Sequence, residues 1–425
     1  MRKISATVTM LGGLLAATAA WGGASSQHWT TSWIAAPEPT WNADFVLPLG
    51  IPETMKDVTL RQSLRLAVGG ERLRLVLSNV YGKAPLKIGR AQVALEGAVD
   101  GLPVTFQGRE GVEIPAGSQV LSDPVALAAG DGARLTIDLH LPGTSRPAGF
   151  HWDARERTWL LPGDAVGRAG TAGGEALDSR AFLAAVAVQS DRAPVAVVAL
   201  GDSITDGNGA TPGADHRWPD VLAERLAPHG VAMLNAGISG NRLLRDGMGE
   251  SALARLQRDV LQQPGVRAVI VMLGTNDIGW PGGAFAPHEP PVTLKALTDG
   301  FRQLVAQAHL RGVRVIGATV SPFEDALQGT PLEGHYSPRK DATRQALNQW
   351  IRKSGVFDAV VDFDQLLRDP ARPSRLLAQF DSGDHLHPSD AGYRAMGQAI
   401  DLQQLLGGNQ IDERLPALTA AGLAR

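Results

Sequence analysis

The sequence predicts two domains, a β-rich sandwich or jelly roll followed by a doubly wound parallel α/β sheet. The chain has 425 residues, which is longer than one average domain. Short alternating apolar runs separated by Gly and Pro occupy residues 28–190. From residue 193 onward, apolar runs alternate with amphipathic helical stretches, the order that is typical of a parallel sheet covered by helices.

The strands of the first domain are expected to be short and regularly spaced. Residues 64–78 contain two alternating runs on either side of Gly69 and Gly70, a pattern that predicts a β-hairpin. Further strands are expected at residues 93–96, 104–106 and 133–141. Such strands, divided by turn residues, favour a sandwich or jelly roll over residues 28–190. No catalytic motif is evident in this domain.

The second domain is predicted to span residues 193–408, with a C-terminal tail at 409–425. It contains five apolar runs expected to be strands, at residues 195–200, 232–235, 268–273, 313–318 and 359–362. Helices are expected between them, for example at residues 293–311 and 337–353. Sheets of this kind bind ligands at the carboxyl ends of their strands.

The N-terminus predicts a secretory signal peptide over residues 1–24. Arg2 and Lys3 precede a mildly apolar stretch, and small residues follow it, so that cleavage after Ala20 or Ala24 fits. A membrane anchor or a buried helix is the alternative, but the stretch is short and interrupted by glycines. We therefore expect a secreted or periplasmic protein, with no integral membrane segment after removal of the signal.

Composition argues against several classes of partner. The net charge is −3 and the basic residues are scattered, which disfavours a nucleic-acid partner. Cysteine is absent, which excludes disulfides, a thiol nucleophile and Cys-ligated zinc.

The first polar motif, G-D-S-I-T-D-G at residues 201–207, follows the first predicted strand of the second domain. A tight turn between strand and helix there would present the hydroxyl of Ser203 above the sheet as a nucleophile. The alternative is that Ser203 only caps a helix. The motif is not the G-x-S-x-G elbow, so the usual α/β-hydrolase is disfavoured.

Two further motifs follow the second and third strands. In N-A-G-I-S-G-N (residues 235–241), Gly240 can bring its backbone N–H close to a developing oxyanion. In L-G-T-N-D (residues 273–277), Asn276 can offer its side-chain amide to the same charge. A Gly-rich turn and an Asx-turn are the respective structural alternatives.

The fourth motif, D-H-L-H-P at residues 384–388, places a carboxylate three residues before a histidine. Asp384 against one ring nitrogen of His387 would leave the other nitrogen free as the base toward Ser203. His385 is a rival base, but it adjoins Asp384 and is expected to point away. A metal site of Asp384, His385 and His387 is disfavoured because no second ligand cluster accompanies it.

Together the four blocks resemble the SGNH (GDSL) hydrolase family over residues 193–405. The resemblance implies a flavodoxin-like sheet and no cofactor or metal. It also implies that Ser203 is the nucleophile and that Asp384 and His387 complete the triad. The oxyanion hole would then be formed by the Ser203 backbone N–H, Gly240 and Asn276. Residues 74–89, R-L-V-L-S-N-V-Y-G-K-A-P-L-K-I-G, also resemble secreted members grouped with acetylxylan esterases.

We therefore expect a secreted serine esterase, a carboxylic ester hydrolase that removes short acyl groups, acetyl above all, from small-molecule or polysaccharide esters. A lipase, thioesterase or general esterase acting on longer or simple acyl esters is the alternative, and a carbohydrate-binding protein with a vestigial hydrolase fold is a third interpretation. Trp218 and Trp280 are candidates for lining the site, while core packing is the commoner role of such residues. Three aspartates beside the motifs are expected to hold the turns: Asp202, Asp206 and Asp277.

Overall fold

The computed structural model describes residues 27–42, 44–98 and 100–407. The predicted signal peptide at 1–24 and the tail at 409–425 lie outside the described residues.

The N-terminal region is built from two antiparallel sheets. One contains β1 (His28–Ile34), β14 (Leu183–Ser190), β4 (Arg72–Asn79) and β9 (Ser118–Leu121), in that order. The other contains β13 (Glu175–Leu177), β12 (Thr158–Pro162), β3 (Met55–Arg65), β10 (Arg134–Ser145), β6 (Arg90–Leu95) and β7 (Leu102–Val104).

Two small strand pairs complete this region: β2 (Glu38–Pro39) with β11 (Gly149–Phe150), and β5 (Leu86–Ile88) with β8 (Val112–Ile114). Buried side chains alternate along the long strands, and those of both large sheets belong to one apolar cluster, for example Leu60 and Leu64 in β3 with Leu73 and Leu75 in β4. The region is antiparallel and β-rich, as predicted.

The predicted hairpin around Gly69 and Gly70 is wrong. The two runs are strands β3 and β4, but each belongs to a different sheet, and neither glycine has the positive φ that a tight hairpin turn of type I′ requires. The glycines instead allow a close backbone crossing. A Cβ on Gly69 would lie 2.2 Å from the carbonyl oxygen of Ala129, and one on Gly70 would lie 2.5 Å from that of Gln189.

The C-terminal region contains a five-stranded parallel sheet, as expected for a doubly wound fold. Its order is β16 (Ala232–Gly237), β15 (Ala196–Gly201), β17 (Val266–Met272), β18 (Arg314–Ala318) and β19 (Ala359–Val361). Counted from β15, this is 2-1-3-4-5, the flavodoxin-like order. The strands match all five predicted apolar runs.

Helices cover both faces of this sheet. They are α1 (Ser203–Asp206), α2 (Trp218–Leu226), α3 (Ala252–Leu256), α4 (Thr275–Gly279), α5 (Leu294–His309), α6 (Pro338–Lys353), α7 (Phe363–Leu367), α8 (Asp390–Ala399) and α9 (Leu402–Leu406). A π-helical turn at Gln257–Leu261 extends α3, and 3₁₀ turns lie at Ala227–His229 and Ala378–Phe380.

Strand β15 shows how the layers are divided. Val197 and Ala199 pack in the cluster that contains α2 and α8, whereas Val198 and Leu200 pack in the cluster that contains α5 and α6. This alternation follows from the period of two along a strand. Because helices cover both faces of the sheet, the strand is apolar on both faces. The cluster that contains α5 and α6 also includes buried residues of the β-rich region, so the two regions share a core.

Candidate active site

Ser203 lies in a tight turn at the carboxyl end of β15. The Asp202 carboxylate accepts a hydrogen bond from the Ile204 backbone N–H at 3.1 Å and so caps helix α1, which Gly207 ends with φ of 113°. A Cβ on Gly201 would lie 2.0 Å from the Thr205 hydroxyl oxygen, so the turn needs glycine at that position. Ser203 itself is 7% exposed, which leaves little of it open to solvent.

His387 connects Ser203 to Asp384. Its Nε2 lies 2.8 Å from Ser203 Oγ, and its Nδ1 lies 2.5 Å from Asp384 Oδ2. A proton on Nδ1 donated to Asp384 leaves Nε2 as acceptor for the Ser203 hydroxyl, the arrangement that a general base requires. The structure thus brings together the three side chains that the sequence analysis assigned to a triad, and substitution at each position tests the assigned roles.

Asp384 is held by the same loop that contains His387. Its Oδ1 accepts the backbone N–H groups of Leu386 at 2.9 Å and His387 at 2.8 Å. Burial acts to raise the pKa of the Asp384 carboxyl, but the His387 ring and these N–H groups outweigh it and hold the pKa well below its usual range. Asp384 is therefore an anion at any pH at which the imidazole can act as a base.

His385 points away from this arrangement. Its Nδ1 lies 2.5 Å from the Asp381 carboxylate, and its Nε2 lies near the Arg375 guanidinium. His385 has φ of 61°, a left-handed conformation that turns its side chain away from the direction taken by His387. The loop therefore contains two His–Asp pairs, and only one of them contacts Ser203.

The two predicted oxyanion donors lie on the loops after the neighbouring strands. Gly240 has φ of 73°, and a Cβ there would lie 2.5 Å from Met248 Sδ. The Asn276 side-chain amide donates one N–H to the Asn241 carbonyl at 3.0 Å, which orients the side chain and leaves its second N–H for another acceptor. Within the described ranges, the backbone N–H groups of Ser203 and Gly240 donate to no protein acceptor. These three groups are thus available to a negative oxygen.

A comparison with protein families matches residues 199–395 to the GDSL-like lipase/acylhydrolase family. The four motifs, from the turn before Ser203 to the loop of His387, all lie within the matched residues. The C-terminal region is a GDSL-like lipase/acylhydrolase domain. The protein is accordingly a carboxylic ester hydrolase.

Three solved structures with a similar fold are distant in sequence. An aryl esterase from M. smegmatis is 20% identical, with 52% of this chain and 100% of that chain covered and a TM-score of 0.38. A carbohydrate acetylesterase family member from Sinorhizobium meliloti is 19% identical, with 50% and 99% covered and a TM-score of 0.39. An acetyl xylan esterase is 18% identical, with 48% and 97% covered and a TM-score of 0.35. A search of curated proteins finds no match.

The three aspartates beside the motifs of the GDSL-like domain bond to its turns. Besides the cap made by Asp202, Asp277 accepts the backbone N–H groups of Leu243 at 2.8 Å and Leu244 at 3.1 Å, and Asp206 accepts from Ser239. Burial raises the pKa of Asp202 to about 7 and shifts that of Asp277 in the same direction. Through their hydrogen bonds to backbone N–H groups, the three carboxyl groups hold the loops in position.

Arg255, which the sequence analysis did not identify, connects the loops of the first two motifs, at Gly201 and at residues 235–241. Its guanidinium is fully buried and donates to the carbonyls of Gly201 at 3.0 Å and Ala236 at 2.7 Å, to the Asn241 side chain and to Asp259. Burial lowers its pKa, and Asp259 partly opposes that shift. The carbonyls of Gly201 and Ala236 are backbone groups, which leave no motif in the sequence.

An aromatic cluster from both regions borders the oxyanion loop of the GDSL-like domain. Trp280 and Phe285 stack with ring centroids 4.5 Å apart, and Trp280 lies beside Gly240. Phe45 contacts Phe285, and Trp41 joins Phe45 to Trp152 of the β-rich region. All of these rings except Trp280 are partly exposed. Trp218, in contrast, is fully buried against Phe363 in the core and does not line the site.

The described residues include neither a cluster of metal ligands nor a helix that could span a membrane. No group of three or more His, Asp or Glu side chains in this part of the chain is arranged to hold a metal ion. Over the same residues, every helix is too short or too polar to cross a bilayer.

Proposed function

We propose that the protein is an exported esterase that removes short acyl groups, acetyl above all, from carbohydrate alcohols. The observation that supports the chemistry is the hydrogen-bonded series Ser203–His387–Asp384. The observation that supports the substrate class is the aromatic cluster beside Gly240, formed by Trp41, Phe45, Trp152, Trp280 and Phe285.

The reaction proceeds in two acyl transfers. Ser203 Oγ attacks the ester carbonyl while His387 Nε2 takes the hydroxyl proton, and Asp384 stabilises the resulting imidazolium. The N–H groups of Ser203 and Gly240 and the amide of Asn276 stabilise the oxyanion. The intermediate collapses as His387 protonates the leaving alcohol. Water, activated by His387, then releases the acid from the acyl-enzyme.

A carbohydrate fits the surroundings of this site. Its hydroxyls need hydrogen-bonding partners, and the loops at residues 206–217 and 241–250 are rich in Gly, Asp, Asn and Arg. Its ring faces can lie on indole, and the rings of Trp41 and Trp152 are partly exposed. Neither loop contains the long apolar run expected of an interfacial lid or an acyl tunnel.

The alternative is a lipase, thioesterase or general esterase for longer or simple acyl groups. Met248, Trp280 and Ala286 form an apolar patch next to Gly240, and such a patch also suits a larger acyl group. The two functions differ in which half of the ester is recognised, so they can be separated with defined substrates.

The test compares kcat/KM on nitrophenyl acetate, butyrate, octanoate and palmitate, together with acetate release from acetylated xylan. We expect the highest kcat/KM on the acetate ester, together with release of acetate from the polysaccharide. Trp152→Ala should raise KM for the glycan more than for nitrophenyl acetate, with the core substitution Val188→Ala as a control for general destabilisation. A maximum at octanoate or longer, with no acetate released from any acetylated glycan, would overturn the sugar-ester assignment.

Export is the second part of the proposal. It rests on the basic residues Arg2 and Lys3, the apolar stretch after them and the small residues around Ala20 and Ala24. N-terminal sequencing of the protein recovered from the periplasm or medium should begin after Ala20 or Ala24. Recovery of the whole chain from the cytoplasm, with Met1 retained, would contradict export.

A further inference from the structure

His151 belongs to the β-rich region but reaches the first catalytic loop of the GDSL-like domain. It follows β11 and pairs with Arg180 through two backbone hydrogen bonds. The His151 N–H donates to the Arg180 carbonyl at 2.8 Å, and the Arg180 N–H donates to the His151 carbonyl at 3.0 Å. Its side chain is 9% exposed. The His151 imidazole is therefore fixed in the seam between the two regions.

Both ring nitrogens of His151 face oxygen acceptors. Nδ1 lies 3.0 Å from the Ala36 carbonyl, and Nε2 lies 3.0 Å from Asp206 Oδ1. A neutral imidazole has one N–H and can donate to only one of these, so this geometry favours an imidazolium paired with the Asp206 carboxylate. Burial opposes the charge, but Asp206 and Glu38 outweigh it and raise the pKa of His151.

The other oxygen of Asp206 holds the oxyanion loop. Asp206 Oδ2 accepts the backbone N–H of Ser239 at 3.1 Å and the Ser239 hydroxyl at 2.8 Å. Ser239 directly precedes Gly240, and both Asp206 and Ser239 are 2% exposed. The hydrogen bonds therefore run from the β-rich region, through Asp206, to the residue before the predicted oxyanion donor.

We propose that His151 is a positioning residue of the esterase: by holding Asp206, it fixes Ser239 and orients the N–H of Gly240 toward the oxyanion. His151 does not contact the reacting atoms. Loss of its contact would let the loop shift, and a displacement of about 1 Å in a catalytic group can cost roughly 100-fold in rate. Because the oxyanion exists only in the transition state, the loss should fall on kcat and leave KM nearly unchanged.

The experiment uses the full-length protein and nitrophenyl acetate, a substrate whose hydrolysis does not depend on any preference for carbohydrates. His151→Phe keeps a ring but removes both hydrogen bonds, and it should lower kcat by about 10- to 100-fold. His151→Gln retains a donor for Asp206 and should restore part of the rate. His140→Phe is the matched control, because His140 makes the same kind of contact, 3.0 Å to Asp57, within the β-rich region.

The result that supports the proposal is a kcat loss in His151→Phe, partial recovery in His151→Gln and an unchanged kcat in His140→Phe, with similar thermal unfolding of all three variants. A folded His151→Phe variant with the kcat of the parent would overturn it, and so would an equal kcat loss in His140→Phe.

A second variant decides the question if His151→Phe does not fold. Ser239→Ala removes only the 2.8 Å hydroxyl bond to Asp206 and leaves the seam between the regions intact. It should lower kcat severalfold without a matching change in KM. If Ser239→Ala folds and keeps the parent kcat, the hydrogen-bonded route from His151 to Gly240 plays no part in catalysis.

Discussion

Two histidines lie two residues apart in the last catalytic loop, and each has its own carboxylate. His387 contacts Asp384 and Ser203, whereas His385 contacts Asp381. The difference follows from backbone conformation, because the left-handed φ of His385 separates the directions of the two side chains. The spacing of Asp384 and His387 allowed their pairing to be predicted from the sequence, whereas the partner of His385 was not foreseen.

Substitution of these histidines tests that division. His387→Ala should lower kcat for nitrophenyl acetate by about 10⁴-fold, because it removes the base from a unit whose members act together. His385→Ala should retain most of the activity, since His385 does not contact Ser203. The measurement is steady-state kinetics on both variants, and a dead His385→Ala beside an active His387→Ala would reverse the assignment.

His335 makes stability depend on pH. The residue is 4% exposed, and its ring packs edge-on against Phe323. Burial, with a smaller effect of nearby Lys340 in the same direction, lowers its pKa from 6.5 to about 3. Between these values the unfolded chain binds a proton that the folded protein excludes, so the free energy of unfolding falls as pH decreases from 6.5 toward 3.

Urea denaturation at pH 7 and pH 5 checks this effect. Between these pH values the parent should lose about 2 kcal/mol more stability than His335→Phe, which has no group to protonate. Equal pH dependence of the two proteins would show that His335 binds its proton equally in the folded and unfolded states.

At the scale of the element, alternation of apolar residues predicted the strands but not their partners. The runs on either side of Gly69 and Gly70 are strands, as expected, yet they pair in different sheets. A period of two indicates that one face of a strand is buried, but it does not indicate which strand pairs with it. The five strands of the parallel sheet were easier to predict, because each is apolar on both faces and is followed by a helix or a polar loop.

Alanine substitutions at two glycines test the crossing between the sheets. Gly69→Ala should destabilise the protein by about 2 kcal/mol, because its Cβ would meet backbone atoms of Ala129 and Gly130. Gly130→Ala is the matched control, since a Cβ there meets nothing within 4 Å and its φ is not positive. Thermal or urea unfolding measures both, and a neutral Gly69→Ala would mean that the crossing relaxes at little cost.

For the whole molecule, the two regions are joined by buried and half-buried contacts. Strand β1 lies against β16, the Arg258 guanidinium reaches the Tyr81 hydroxyl at 2.9 Å, and His151 pairs with Asp206. The motifs of the second region indicated the candidate catalytic residues Ser203, Asp384 and His387, which lie within hydrogen-bonding distance of one another. The contacts that His151 and Trp152 of the first region make were not predictable, because their partners are distant in sequence and form no motif.

Deletion of residues 28–190 should therefore give insoluble or inactive protein. The deletion would expose the shared apolar cluster and leave Asp206 without its contact with His151. Solubility and ester hydrolysis of a fragment that begins near Ala193 measure the effect. A soluble fragment with the full activity of the parent on small esters would show that the regions are independent.

Covalent labelling tests the role of Ser203 most directly. A fluorophosphonate reacts with an activated serine, and mass spectrometry of the digested protein identifies the residue that is modified. If Ser203 is activated by His387, one adduct should appear on the peptide that contains Ser203, esterase activity should fall in parallel, and Ser203→Ala should be neither labelled nor active. An adduct on another serine, or ester hydrolysis retained by a folded Ser203→Ala, would contradict Ser203 as the nucleophile.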